Sequence, residues 1–93
     1  MERPGGFSWD DAKHAGNLGK HGVSFEAAKA FEFDTALVAT DDRKDYGETR
    51  EVALGLIGAR MHTLVFTMRG TVCHVISLRK SNKREIETYV ENL

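Results

Sequence analysis

The chain has 93 residues, a formal net charge of -1, 41% hydrophobic and 29% charged residues, and one cysteine, Cys73. That length predicts one small domain over residues 1–93 that buries roughly 60–65% of its unfolded surface, and the composition is that of a folded chain rather than a disordered one. A single cysteine excludes an intrachain disulfide and a cysteine-based zinc site, and fits a reducing, cytoplasmic setting. The longest apolar run, ALGLIGA at 53–59, is far below the roughly 18 residues of a membrane span, and MERPGGFSWDD lacks an apolar signal core, so neither insertion nor export is expected.

In chain order, GGFSW (5–9) is a short opening strand. Asp10 caps a helix running to Lys20, with Gly22 as its terminator and Gly16 and Gly19 weakening its interior. Ser24 caps a second helix through Phe31, with Val23 just before the cap and Ala28 one turn inside it as a small hydrophobic staple. The period then changes. Residues 35–41, 51–57, 62–68 and 71–78 are β-prone runs separated by turns at 45–47, 58–60 and 69–70, and the short connections favour antiparallel pairing of the last three. Alternation places Val52, Leu54 and Leu56 on one face of their strand and Leu64, Phe66 and Met68 on one face of the next, and these rows are the expected core. Residues 72–78 are apolar on both faces, as a central strand covered on both sides would be. Asn82 and Glu85 form a capping-box pattern ahead of Ile86, Tyr89, Val90 and Leu93, which mark an amphipathic helix. The expected fold is α+β: two N-terminal helices, an antiparallel sheet of four to five strands, and a C-terminal helix packed on it.

The small net charge hides an asymmetry. Residues 26–51 carry eight acids against Lys29, Arg43, Lys44 and Arg50, a net of -4, whereas residues 69–84 carry Arg69, Arg79, Lys80, Lys83 and Arg84 with no acid, a net of +5. Such a local field acts over about one Debye length, roughly 8 Å at physiological salt. Arginine stays charged and donates paired hydrogen bonds to phosphate, so Arg79 and Lys80 at the end of one strand, Arg69 at its hairpin and Arg50 before another suit a polyanion. Lys83 and Arg84 read as ordinary exposed helix residues that add to the field. Lys13, Asn17, Lys20 and His21 fall on one stripe of the first helix, either a solvated face or a phosphate-binding surface. His21 and His74 can exchange protons near neutral pH, although a histidine among apolar neighbours, as His74 is, also suits a core position. His14, His21, His62 and His74 form no metal-ligand motif, and no phosphate loop or nucleophile elbow is present, so no metal or cofactor is expected.

The segments W-D-x-x-K-x-x-x-N-x-x-K-H-G-V-x-F (Trp9 to Phe25), ETREVALG, and I-S-x-R-K followed by R-E-x-x-x-Y (Ile76 to Tyr89) resemble the BrnT family of type II toxins, and the resemblance runs from about Phe7 to Tyr89. It implies a RelE-like fold, a ribonuclease that inhibits translation by cleaving RNA, and a BrnA-type ribbon-helix-helix antitoxin through which the complex contacts operator DNA. Lys13, Lys20, His21, Arg50, Arg69, Arg79 and Lys80 fall on the family's polar positions, while His74 stands where the family more often has arginine. The chemistry expected of these residues is metal-independent transesterification, with Arg79 and Arg69 on the phosphate, His21 or His74 exchanging protons, and Lys13, Lys20, Arg50 and Lys80 binding RNA. The competing class is a binding module without catalysis that docks an antitoxin or DNA-binding partner and acts in regulating its own operon.

Overall fold

The structure, a computed structural model, describes residues 1–43 and 45–93. Lys44, counted in the acidic stretch above, lies outside the described residues. Strand β1 (Gly6–Trp9) leads into helix α1 (Asp11–His21), where the Asp10 side chain accepts from the Lys13 N–H and Gly22, at φ 70°, closes the last turn by donating to the Leu18 carbonyl. That left-handed conformation favours a residue without a Cβ.

The second expected helix is a 3-10 helix, Phe25–Ala30, with Ser24 as its cap through a bond from the Glu26 N–H. Phe25 and Phe31 are fully buried at its two ends, Phe31 bridges to Ile57, and the Glu32 N–H donates to the Leu56 carbonyl. Six residues pinned at both ends are too few for the cooperative growth of an α-helix, and the tighter turn fits the span.

Strands β2 (Leu37–Asp41), β3 (Arg50–Ile57), β4 (Arg60–Arg69) and β5 (Val72–Lys80) complete the sheet, and helix α2 (Lys83–Glu91) follows with both halves of its capping box formed. The described residues place five strands in the order β1-β5-β4-β3-β2, antiparallel except for β1, which runs parallel to β5. β4 is thus the middle strand. β5 pairs with β1 only through Val75. Beyond that point the Asn17 side chain of α1 takes over the open edge, accepting from the Leu78 N–H at 3.2 Å and donating to the Leu78 and Val23 carbonyls. A buried amide with three backbone bonds satisfies groups that the missing strand would otherwise leave unpaired.

One sheet face carries the main core, Phe25, Phe31, Phe33, Leu64, Phe66, Cys73, Val75 and Leu78 packed beneath α1 and the 3-10 helix. Gly55 belongs to this face because a Cβ there would lie 2.6 Å from the Phe31 ring. Two expected rows are corrected here. The register pairs Ala53 with Leu64 and Val52 with Val65, so Val52, Leu54 and Leu56 lie on the other face from Leu64 and Phe66. A bulge in β5 then opposes Phe66 to Val75 and Val65 to Ser77, leaving Ile76 as the extra residue and turning Leu78 into the core, away from the face of His74. On the second face α2 lies over β2 and β3, above Leu37, Val52 and Leu54, and the Tyr89 hydroxyl reaches the Thr35 carbonyl at 3.1 Å. Its apolar side chains Ile86 and Val90, and Leu93 just after it, remain 37%, 57% and 87% exposed, so the helix turns part of its apolar stripe to solvent.

Candidate functional site

The uncovered part of the second face is a furrow whose floor is set by strand alternation. Ser8, His74, Ser77 and Arg79 come from β1 and β5, Thr63, Val65, Thr67 and Arg69 from β4, and Arg50 and Val52 from β3. The furrow has two charged ends, Thr67 opposite His74 at one and Thr63 opposite Arg79 at the other, about 13 Å apart along β4.

At the first end, Glu48 lies between two arginines, with Oε1 3.8 Å from Arg50 Nε and Oε2 3.8 Å from Arg69 Nη2. These are ion pairs too long to be hydrogen bonds. Arg50 also lies over the Tyr46 ring at 4.0 Å from its centroid, and its buried Nε has no hydrogen-bond partner among the described residues. The Thr67 hydroxyl donates to the Thr49 carbonyl at 2.7 Å and ties the loop that carries Glu48 to the sheet. His74 is half-buried, with Nδ1 2.8 Å from Ser8 Oγ. Burial first, then the positive charges of Arg69 and Lys13, holds its imidazole below the usual histidine range, against the opposing carboxylates Glu48 and Asp10. An imidazole largely neutral at neutral pH in the field of the Arg69 guanidinium can accept a proton while that guanidinium holds an anion.

At the second end, Arg79 is engaged by this chain's own carboxylate: Nη1 and Nη2 donate to the two oxygens of Glu85 at 2.7 and 2.8 Å. Glu85 Oε1 also accepts from the Asn82 N–H at 2.9 Å. These bonds raise Arg79 and lower Glu85 from their usual ranges, and burial opposes both shifts. A cleft of about 340 Å³ opens over the pair, lined also by Asp41, Arg43, Val52 and Thr63.

Lys13, Lys20 and His21 share a shallow groove on α1 with Ile76 and Ser77 of the bulge. Lys80 does not share the Arg79 face; it opposes His62 in the register and projects from the other side of the strand. Two other histidines are held structurally, His14 by Ser24 Oγ at 3.1 Å and by stacking on Phe25, and His62 by the Arg60 carbonyl at 2.9 Å. Burial pushes the Cys73 thiol up to about 12, which leaves it unreactive at neutral pH. Among the described residues no group of three His, Cys, Asp or Glu side chains is placed to hold a metal ion, and no helix is long and apolar enough to cross a membrane.

Ser8, Glu48 and Glu85 are the site neighbours that sequence reasoning missed. Ser8 meets His74 across 66 residues of chain through a parallel pairing that no hairpin signal reveals. Glu48 belongs to an acidic stretch whose members look alike in sequence. Glu85 had a visible signal, since a capping box fixes its carboxylate beside the end of β5.

No curated protein matches the chain. Among solved structures, the 1.1 Å crystal structure of the Brucella abortus ribonuclease toxin, BrnT, aligns with 84% of this chain and 97% of that chain, at a TM-score of 0.67 and 26% identity. The family model for BrnT, the ribonuclease toxin of a type II toxin-antitoxin system, matches residues 9–85, which include both ends of the furrow. With the five-stranded sheet and C-terminal helix in place, the match over most of the sequence settles the assignment: the chain belongs to the BrnT family of ribonuclease toxins of type II toxin-antitoxin systems.

Proposed function

We propose that this chain is a metal-independent endoribonuclease of RelE-like fold whose cleavage of RNA inhibits translation. Its partner is a BrnA-type ribbon-helix-helix antitoxin that neutralises it and links the pair to operator DNA. The observation that carries the catalytic reading is the charge of Arg69 acting on a neutral-leaning His74 at one end of the furrow, with Arg50 joined to Arg69 through Glu48. The reacting phosphate belongs at this end, and Arg79, held by Glu85, adds its charge from the other.

In the reaction the ribose 2'-oxygen forms a bond to the adjacent phosphorus while the bond from phosphorus to the 5'-oxygen breaks. The products are a 2',3'-cyclic phosphate and a 5'-hydroxyl. His74 takes the 2'-hydroxyl proton, His21 on the α1 wall is the candidate donor to the departing 5'-oxygen, and Arg69 and Arg50 stabilise the added negative charge on phosphorus. Lys13 and Lys20 hold the strand beside them. Lys80 adds only to the distant field, because it faces away from the furrow.

RNA supplies the 2'-hydroxyl and DNA does not. Purified chain incubated with an RNA and with the matching all-deoxy strand in EDTA is expected to cut only the RNA. Cleavage of both strands alike, or loss of cleavage in the chelator, overturns the mechanism. The second reading, an antitoxin-binding module without catalysis, draws on the exposed side chains Ile86 and Val90 of α2 and Leu93 after it, and on the carboxylates already facing the arginines. It predicts tight antitoxin binding with no RNA cleavage in the same assay.

A further inference from the structure

We propose that Ser8 is a positioning residue for His74: its hydroxyl accepts the Nδ1–H of the imidazole and leaves Nε2 as the single ring nitrogen that takes up and releases a proton. The inference rests on the ribonuclease reading for its catalytic consequence, and on geometry for the assignment itself. Ser8 stands opposite His74 in the parallel pairing of β1 with β5, and Oγ and Nδ1 are 2.8 Å apart. Ser8 is held in that direction from both sides, because its neighbours Phe7 and Trp9 pack against the main core and alternation then turns Ser8 to the furrow. The strand is further fixed by the Gly5 N–H, which donates to the Thr71 carbonyl at 2.8 Å. Neither Ser8 Oγ nor His74 Nε2 has another hydrogen bond among the described residues.

The charges around the ring decide which tautomer this arrangement favours. Ser8 meets Nδ1 from β1 on one side of β5, while Arg69 belongs to β4 on the other side and its positive charge acts on the ring. A neutral imidazole is stabilised when its lone pair faces a cation and its N–H faces an acceptor, which puts the lone pair on Nε2. The other charged groups acting on the ring are Glu48 from the loop before β3, and Asp10 and Lys13 at the start of α1, while the neutral Thr67 is its partner on β4. The carboxylates temper the depression of the imidazole without reversing it. A hydroxyl at Nδ1 can stay in place when the ring is protonated, since Nδ1–H remains a donor in the cation. One oxygen therefore holds the ring through both halves of the proton transfer.

The test follows the imidazole nitrogens of the purified chain by long-range proton–nitrogen correlation across pH, beside the RNA cleavage rate over the same range. Wild type is expected to show a protonated Nδ1 and a bare Nε2 above the His74 titration. Ser8→Ala is expected to mix the two tautomers, move the midpoint of the acid limb of the cleavage profile, and lower kcat by about tenfold with KM within about twofold. Ser8→Thr, which keeps a hydroxyl, restores both the spectrum and the profile. A bare Nδ1 in wild type, or a Ser8→Ala chain with unchanged tautomer and unchanged midpoint, overturns the inference. A wild-type chain that cleaves no RNA overturns the ribonuclease reading instead, and the spectrum still decides the role of Ser8.

Discussion

The two ends of the furrow both join arginine to glutamate, and they do so differently. At the α2 end, Arg79 and Glu85 form two parallel bonds of 2.7 and 2.8 Å, and the same carboxylate caps the helix. At the hairpin end, Glu48 stands 3.8 Å from each of Arg50 and Arg69, and one buried guanidinium nitrogen has no hydrogen-bond partner among the described residues. A satisfied bidentate pair keeps its geometry and has little capacity left for a ligand, so its chief product is rigidity. A loose triad keeps its charge and leaves donors for an incoming phosphate. The residue of the arginine-rich segment that looked best suited to chemistry from sequence, Arg79, is thereby the one most committed to holding the fold.

The largest effects that would separate the two ends are on turnover. His74→Ala should lower the RNA cleavage rate by about 10²-fold to 10⁴-fold, the usual scale of losing a proton-transfer group, with the thermal midpoint nearly kept. Arg69→Ala should lower it by roughly 10²-fold to 10³-fold through lost charge stabilisation. If Arg79→Ala proves more damaging to cleavage than either, with its fold intact by circular dichroism, the assignment of the reacting phosphate moves to the α2 end. The pH profile sharpens the same contrast. Because the His74 imidazole is held below its ordinary value of about 6.5, its basic form persists into mildly acidic solution, and the rate should fall only as the pH drops below that value. A rate that already falls between pH 8 and 7 would point to another base.

Much of this architecture was legible in the sequence, for local reasons. Both α-helix caps, the Gly22 terminator, the strands and the capping box at Asn82 are written in residues a few positions apart, and local chemistry fixes them. Register is set by distant partners, so the face of Val52 and Leu54 came out opposite to expectation, and the bulge at Ile76 moved Leu78 across the sheet. A one-residue change in pairing exchanges the two faces of a strand. The candidate site divides along the same line. Arg50, Arg69 and His74 were recognisable by residue type, whereas the joining of the two arginines through Glu48, and the contact of Ser8 with His74, depended on pairing and loop placement. Lys80 lies off the Arg79 face because neighbours in a strand face opposite ways.

A smaller effect, on stability, tests the rigid end. Glu85→Gln removes the charge from a half-buried pair and should lower unfolding free energy by about 1–3 kcal/mol, the range for charge-assisted bonds. At this chain length each kcal/mol lowers the thermal midpoint by about 4–8 °C. The matching change at the hairpin end, Glu48→Gln, should shift the midpoint far less, since its ion pairs are long and partly exposed, and it should tighten RNA binding by removing a competing anion. Equal midpoint shifts from the two substitutions would erase the distinction between the ends.

Acid separates the ends by the least. The Glu85 carboxyl titrates below its ordinary range in the folded chain, so its stabilisation is complete above the unfolded value of about 4.3 and is lost as the pH falls through the lowered folded value. The folded His74 also titrates low, so the unfolded chain takes up that proton first and stability begins to decline below about pH 6.5. Both groups weaken the fold on acidification, in two windows. Denaturant unfolding measured from pH 8 to pH 3 should therefore show a shallow decline through the histidine window and a steeper one through the carboxyl window. Glu85→Gln should remove part of the second and leave the first; a variant that flattens the histidine window instead would mean the two ends are coupled across the furrow rather than independent.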